Sequence, residues 1–419
     1  MPRRSSAPAT RLIRCENFVF CLCIVSSERC GSPVAYLTPG PVTAVFLTFR
    51  DSPERRRALA AAPGSAERYA LSGLDQLVAR GFSVGHNLES RGAPPRWAAL
   101  AGASLKWGLE QAGGYGGDFA TVLASLRRAN RADVVLSTVD TVGIPLMLLA
   151  RAGRLRSPLV YVAIGLPERL AQLRSERMRR LYASALGACE SVIAYSEHEA
   201  GELTSWLERY GFAQRVEFVP FGVDADWFRP TREPTAIDVI SVGTDPHRDF
   251  GRLLEVAKRM PDVSFRIVTS AEHARRLAST PENVAIETDI PFDAMRQRLG
   301  EARVVALPVR ENSYSGATTV LLQAMALGKP VVVTRTQAIA TGYGLVDGEN
   351  CRLVAPGDGA GFERALGEVL RDGFHARALG SSARTTVERE LTWERYVDRI
   401  EELLRDAAAR PARAESGSA

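Results

Sequence analysis

The chain has 419 residues, of which 46% are hydrophobic and 24% charged, a composition that suits two globular domains rather than a disordered segment. No run reaches the roughly 18 apolar residues of a membrane-spanning helix. The net charge is +5, but three of the 53 basic residues are lysine and the arginines are interleaved with acids, so the excess reads as the mark of a GC-rich genome and not as a nucleic-acid surface.

Residues 1–41 differ from the rest of the chain. They hold four of the six cysteines (Cys15, Cys21, Cys23 and Cys30) without a nearby histidine or zinc-type spacing. Arg3, Arg4, Arg11 and Arg14 precede a short apolar run over 18–25, a loose likeness to a secretory signal. The favoured reading is an extension left by start-site assignment, expected to be poorly ordered. Cys189 and Cys351 alone, over the remaining residues, fit a reducing compartment without disulfides, and a cytoplasmic location is expected.

From Val42 strands and helices alternate. Strands are predicted at 42–49 and 82–88, with a helix at 67–80 between them that Gly81 stops. A helix at 97–111 ends at the glycine-rich run 113–117, which reads as a flexible connector or an acceptor-side loop. Asp118 is placed to cap a helix at 119–129, and strand 133–137, helix 144–152, strand 159–164, helix 176–188 and strand 191–195 come next. Ser196 caps a helix at 197–210, and strand 216–219 completes the first set. A second set starts after Pro230 and Pro234, with strands at 237–242, 264–268, 284–287, 304–307, 331–334 and 352–354. Its helices are predicted at 250–259, 292–301, 317–327 and 361–372, and a last amphipathic helix at 393–408 precedes a low-complexity tail from 410. The fold class is therefore α/β, with two doubly wound, Rossmann-like domains facing a cleft, and ligands expected at the carboxyl ends of the strands.

Two strand-to-helix turns carry candidate chemistry. In the first, Gly243 and Thr244 leave a strand and Arg248 stands before the next helix, where a guanidinium fork can hold a phosphate. In the second, Gly316, Ala317, Thr318 and Thr319 open a helix whose N–H groups can approach a diphosphate, and Gln323 further along can reach a ribose hydroxyl. Glu168 and Arg169, just after a first-domain strand, are candidates for acceptor contact.

Pro308 to Val333 resembles the diphosphate-binding segment of family-4 retaining glycosyltransferases with the GT-B fold, keeping Gly316, Leu322, Ala324, Met325, Ala326, Gly328, Pro330, Val331 and Val332. Val219-Pro220-Phe221-Gly222-Val223-Asp224, with Phe228 and Pro230, resembles that family's interdomain signature. Asp347 to Asn350 with Leu353 to Asp358 resembles the family's next loop and strand, and Leu391-Thr392-Trp393 the entry to a helix crossing back to the first domain. The resemblance implies a domain at 42–229 for the acceptor, one at 230–388 for the nucleotide sugar, and a returning helix at 389–409.

It also implies transfer of a sugar from a nucleoside diphosphate donor, UDP placed ahead of GDP, to a small-molecule acceptor, with retention. No metal or other cofactor and no nucleic acid is expected, and a peripheral membrane association stays open. Asp224 and Asp226 spell a metal-binding DxD but fall inside the interdomain signature, and the five histidines lack ligand spacing. The family's Glu-x7-Glu pair falls on Ser315 and Gln323, the usual Arg after the glycine is Thr244, and the segment 161–165 lacks the family's histidine. Ser315 brings no charge to the sugar, which leaves Glu311 as a candidate substitute. Two other readings stand beside the transferase: a non-catalytic GT-B partner of another glycosyltransferase, and a sugar-nucleotide epimerase.

Overall fold

The computed structural model describes residues 42–410, apart from Gly64, Arg91, 231–233, Ala278, Ser313 and Ser315. The expectations for 1–41, for the tail beyond 410 and for Ser315 lie outside the described residues.

Two six-stranded parallel sheets succeed one another along the chain. The first holds β1 (Ala44–Thr48), β2 (Ser83–His86), β3 (Val134–Ser137), β4 (Leu159–Ala163), β5 (Ser191–Ala194) and β6 (Val216–Phe218) in the order 2-1-3-4-5-6. The second holds β7 (Ile237–Val242), β8 (Phe265–Thr269), β9 (Val284–Thr288), β10 (Ala302–Leu307), β11 (Val331–Thr334) and β12 (Arg352–Val354) in the order 12-11-10-7-8-9. Central strands such as β3, β4 and β11 are buried at every residue because helices cover both faces, which is why they read as unbroken apolar runs. In each sheet the order reverses once, beside β1 in the first and between β7 and β10 in the second, leaving a crevice where neighbouring connections depart to opposite faces.

Local signals set most of the boundaries. Asp118 accepts a hydrogen bond from the Thr121 N–H at the start of the Phe119–Ala129 helix, and Ser196 caps Glu197–Arg209 in the same way. The predicted helix at 67–80 is a correction: a 3-10 turn, Ala66–Leu71, and a short helix, Leu74–Ala79, flank Ser72 and Gly73, both with positive φ. The break lets Val397 of the last helix press on Gly73, where a Cβ would stand 3.3 Å from Val397 Cγ2. Pro53–Ala60, Leu166–Ala171 and Gly373–Glu390 are helices that apolar periodicity did not reveal, the first because Ala58 is its one buried residue. The glycine run is also corrected. Gly113, Gly114, Gly116 and Gly117 are pressed against Arg174, Tyr182, Lys106 and Thr141, and the Tyr182 hydroxyl bonds Tyr115 through both its N–H and its carbonyl, so the run is a packed ledge.

The chain passes twice between the sheets, and the two crossings are paired. Val223 N–H donates to Leu391 O at 2.9 Å, Trp393 N–H donates to Val223 O at 3.0 Å, and a side chain on Gly222 would collide with Thr392 O. The Trp393–Ala409 helix then buries Trp393, Tyr396, Val397, Ile400, Leu403 and Leu404 in the core behind β1, β3 and β4.

Candidate functional site

Both turns singled out from the sequence leave the two strands that flank the reversal of the second sheet. Gly243 to Asp249 comes after β7, and Pro308 to Ala317 after β10. They are zipped together: Asp249 N–H donates to Pro308 O at 2.9 Å, Arg310 N–H donates to His247 O at 2.8 Å, and Arg248 and Val309 form an antiparallel bridge. The strand order of the sheet therefore brings residues about sixty positions apart into one cradle.

Arg248 is buried, with its guanidinium packed on Gly243 so closely that a Cβ there would collide with Nε. Its Nε and Nη1 have no hydrogen-bond partner. Burial pushes its pKa down to about 10, and the Asp245 charge opposes the shift. Across the cradle the Thr318–Ala326 helix begins without a side-chain cap and without an acid in its first turn, so its leading N–H groups keep their capacity for an anion. Ser241, Asn312, Thr318 and Gln323 are buried too, and each carries a side-chain oxygen without a partner. Orphaned buried polar atoms are uncommon in native proteins, and a group of them marks a place that a polar ligand completes.

The other predicted residues divide. Gly316 stands under the carboxylate of Asp245, with a Cβ there 2.9 Å from both oxygens, while Ala317 is buried and Thr244 and Thr319 are exposed. Glu311 is exposed and accepts the Gln337 N–H at 2.9 Å and the Asn312 N–H at 3.2 Å, tying the loop after β10 to the loop after β11. Glu168 reaches across from the first domain to 3.8 Å from His247 Nε2. Arg169 turns into its own domain, donating to Asp140 at 3.1 Å and lying over the Tyr115 ring. Asp224 accepts the N–H groups of Asp226 and Trp227, a turn-forming role. Among the described residues no cluster of three His, Cys, Asp or Glu side chains is placed to hold a metal.

Sequence reasoning passed over several residues. Tyr314 donates its hydroxyl to Asp245 at 2.7 Å, packs on Gly165 of the first domain and stands edge-on to His247. Asp245 lies within the first of the two turns, between residues that the sequence does single out. Below Gly165, Glu199 is fully buried and accepts the N–H groups of Gly165 at 2.7 Å and Leu166 at 3.1 Å. Burial, reinforced by the nearby Asp140 charge, pushes its carboxyl up to about 8. In the sequence Glu199 looks like one acid of a capped surface helix, and no periodicity distinguishes it.

Two family models match the chain, one in each domain: "Glycosyltransferase Family 4" over residues 66–227 and "Glycosyl transferases group 1" over 247–372. Together they span more than half of the chain. The chain belongs to the group 1, family 4 glycosyltransferases. Its two sheets are those of the GT-B fold. Sucrose-phosphate synthase from Thermosynechococcus elongatus superposes with a TM-score of 0.66 at 16% identity, over 87% of this chain and 98% of that one. HepE of Anabaena in complex with UDP-glucose does so with a TM-score of 0.61 at 14% identity, over 87% and 99%. Among curated proteins, MMP alpha-(1->4)-mannosyltransferase of Mycolicibacterium hassiacum is 26% identical over 48% of this chain and 50% of its own length. The GDP-mannose-dependent alpha-(1-6)-phosphatidylinositol monomannoside mannosyltransferase of Mycolicibacterium smegmatis is 27% identical over 46% and 57%. The match thus spans about half the length of these curated relatives.

Proposed function

We propose that this glycosyltransferase moves a hexose from a nucleoside diphosphate sugar to an acceptor, with retention at the anomeric carbon. The observation that carries the reading is the buried Arg248 with two unpartnered guanidinium nitrogens, together with the uncapped Thr318–Ala326 helix, at the reversal of the second sheet. A diphosphate held there meets a guanidinium fork and helix N–H groups, which offset its charge as it departs and leave no step that calls for a metal. Gln323 is positioned along the same helix for a ribose hydroxyl, and Glu168 faces the cleft from the acceptor side. The departing phosphate takes the acceptor proton, so no dedicated base is needed. Relatives named for GDP-mannose and a neighbour carrying UDP-glucose leave two bases to separate. A thermal-shift screen of UDP, GDP and their hexose conjugates tests this, since binding to the native state raises the melting temperature. One base is expected to raise it by several degrees, with the sugar conjugate hydrolysed slowly in the absence of acceptor. No shift with any of them would overturn the reading. Donor binding without turnover would favour the non-catalytic partner, the reading that a serine at position 315 supports.

We further propose that the enzyme works at an anionic membrane surface. The Arg96–Gln111 helix packs on its neighbour through Ala98 and Gly102 and turns Trp97, Leu100 and Trp107 outward, all more than half exposed. Glu110 is its one acid, with Arg96 and Lys106 beside the apolar side chains. Gly113, just past its carboxyl end, abuts Arg174, and Arg151, Arg177, Arg180 and Arg209, with Glu176 and Glu202 among them, line an open groove in the same domain. Exposed tryptophans and an arginine-rich groove in one domain match the interface of a bilayer with anionic headgroups. Among the described residues no helix is long and apolar enough to cross a membrane.

A further inference from the structure

Three acids border the donor cradle on the second-domain side, and two are tied to elements outside it. Glu311 holds the Gln337 N–H, and Asp249 caps the Phe250–Arg259 helix at the Arg252 N–H. The third is Asp245. Its carboxylate accepts the His247 N–H at 2.8 Å and the Tyr314 hydroxyl at 2.7 Å, one bond to each oxygen. A carboxylate has about four lone-pair positions, so acceptor capacity is left over.

The position is specific. Both oxygens lie against Gly316, on the opposite loop, while the Asp245 charge also acts on buried Arg248. The Tyr314 ring that holds it packs on Gly165 of the first domain, and His247 beside it faces Glu168. Asp245 therefore stands at the line where the domains meet, on the same loop as Arg248. A donor with its diphosphate on Arg248 and the helix N–H groups extends its sugar outward to this line, because the acceptor enters from the first domain.

A carboxylate there repels the diphosphate, so binding alone does not account for it. What suits a carboxylate is the partner that charge separation creates. As the C1–O bond to the diphosphate lengthens, its electron pair goes to the phosphate oxygen and positive charge grows on C1 and the ring oxygen. An adjacent carboxylate stabilises that charge more than it stabilises the neutral ground state.

Resting on the transferase reading, we propose that Asp245 is the carboxylate that faces the donor sugar, doing from the β7 loop what Ser315, next to Gly316 in the chain, cannot do.

Asp245→Asn keeps the size and one acceptor oxygen, for the His247 N–H, and turns its amide N–H to the Tyr314 hydroxyl, which can accept it, while removing the charge. It is expected to lower kcat for donor hydrolysis and transfer on the order of a hundredfold. Affinity for the free nucleoside diphosphate should hold or improve, since a repulsive charge is gone. Tyr314→Phe removes only the brace and should cost less than tenfold. Asp245→Asn combined with Ser315→Glu should recover part of kcat, which a carboxylate that merely braces the loop would not allow. The proposal is overturned by an Asp245→Asn enzyme of normal kcat, by equal losses in Asp245→Asn and Tyr314→Phe, or by a double variant no better than the single one. A wild type that binds nucleoside diphosphate yet turns over no donor removes the transferase reading and the proposal with it, whereas an active wild type with an equally active Asp245→Asn variant removes the proposal alone.

Discussion

Arg248 illustrates a side chain whose position costs stability while no ligand is bound. A buried guanidinium with two unpartnered nitrogens is a desolvated charge, and replacing it with an apolar group of similar length removes that cost. Arg248→Met is expected to raise the melting temperature of the ligand-free protein while weakening nucleoside diphosphate binding by roughly tenfold to a hundredfold, the worth of a charged hydrogen bond. Calorimetric titration beside a thermal melt measures both; a lower melting temperature with unchanged affinity would assign Arg248 to the fold instead. Glu199 makes a prediction in pH. Its folded value of about 8 stands above the usual carboxylate range, so its contribution is full below the unfolded value and is lost as pH rises through 8. Stability should fall between about pH 5 and 8, by on the order of 1.4 kcal/mol per pH unit at most, and Glu199→Gln, neutral throughout, should flatten that slope. Equal slopes in urea melts of the two proteins would refute the assignment.

Among the elements, the Arg96–Gln111 helix shows how a correctly predicted segment can conceal its role. The sequence predicts a helix there without saying which face is buried, and the buried side is Ala98 and Gly102, where a Cβ on Gly102 would come within 2.6 Å of Ala120 N. The large side chains face out because only small residues fit against the neighbouring helix. Trp97→Ser with Trp107→Ser is expected to reduce binding to phosphatidylglycerol-containing vesicles more than tenfold, with little change for pure phosphatidylcholine or in the melting temperature. Retained vesicle binding, or a marked drop in stability, would show instead that the face packs on protein. The break at Ser72-Gly73 carries the same lesson. A continuous apolar pattern over 67–80 is interrupted because a helix more than three hundred residues later needs the space.

For the whole molecule, the last helix decides how the two sheets cohere. Trp393 is buried in the first domain's core, with its ring 4.5 Å from that of Tyr69 and 5.7 Å from that of Phe221, although it comes after the entire second sheet in the chain. Trp393→Ala is expected to cost about 3–5 kcal/mol. A denaturant midpoint followed by fluorescence of the remaining tryptophans checks this, and a loss below about 1 kcal/mol would mean that the crossing contributes little. Tyr343 adds a second tie, donating its hydroxyl to Tyr195 O at 2.6 Å.

The order of strands and helices, the caps at Asp118 and Ser196, and the two phosphate-type turns are legible because each depends on residues close together in sequence: alternation, a cap three residues before its N–H, glycines at a strand exit. From these and the segment at 308–333 come the fold class and the family, and Arg248 and Gln323 stand out as candidates for donor contact. Other features depend on which distant atoms meet. Asp245 lies over Gly316 because β7 and β10 are neighbours, Tyr314 meets Gly165 because the domains face each other, and Glu199 is charged with difficulty because packing takes it out of water, against the opposing pull of the two N–H groups of the turn after β4. Burial and long-range pairing are properties of the packed chain, absent from any local stretch of it. The sequence therefore determined the scaffold and the phosphate-type turns, and the tertiary structure decided which carboxylates face the cleft and which face of a helix meets the surroundings.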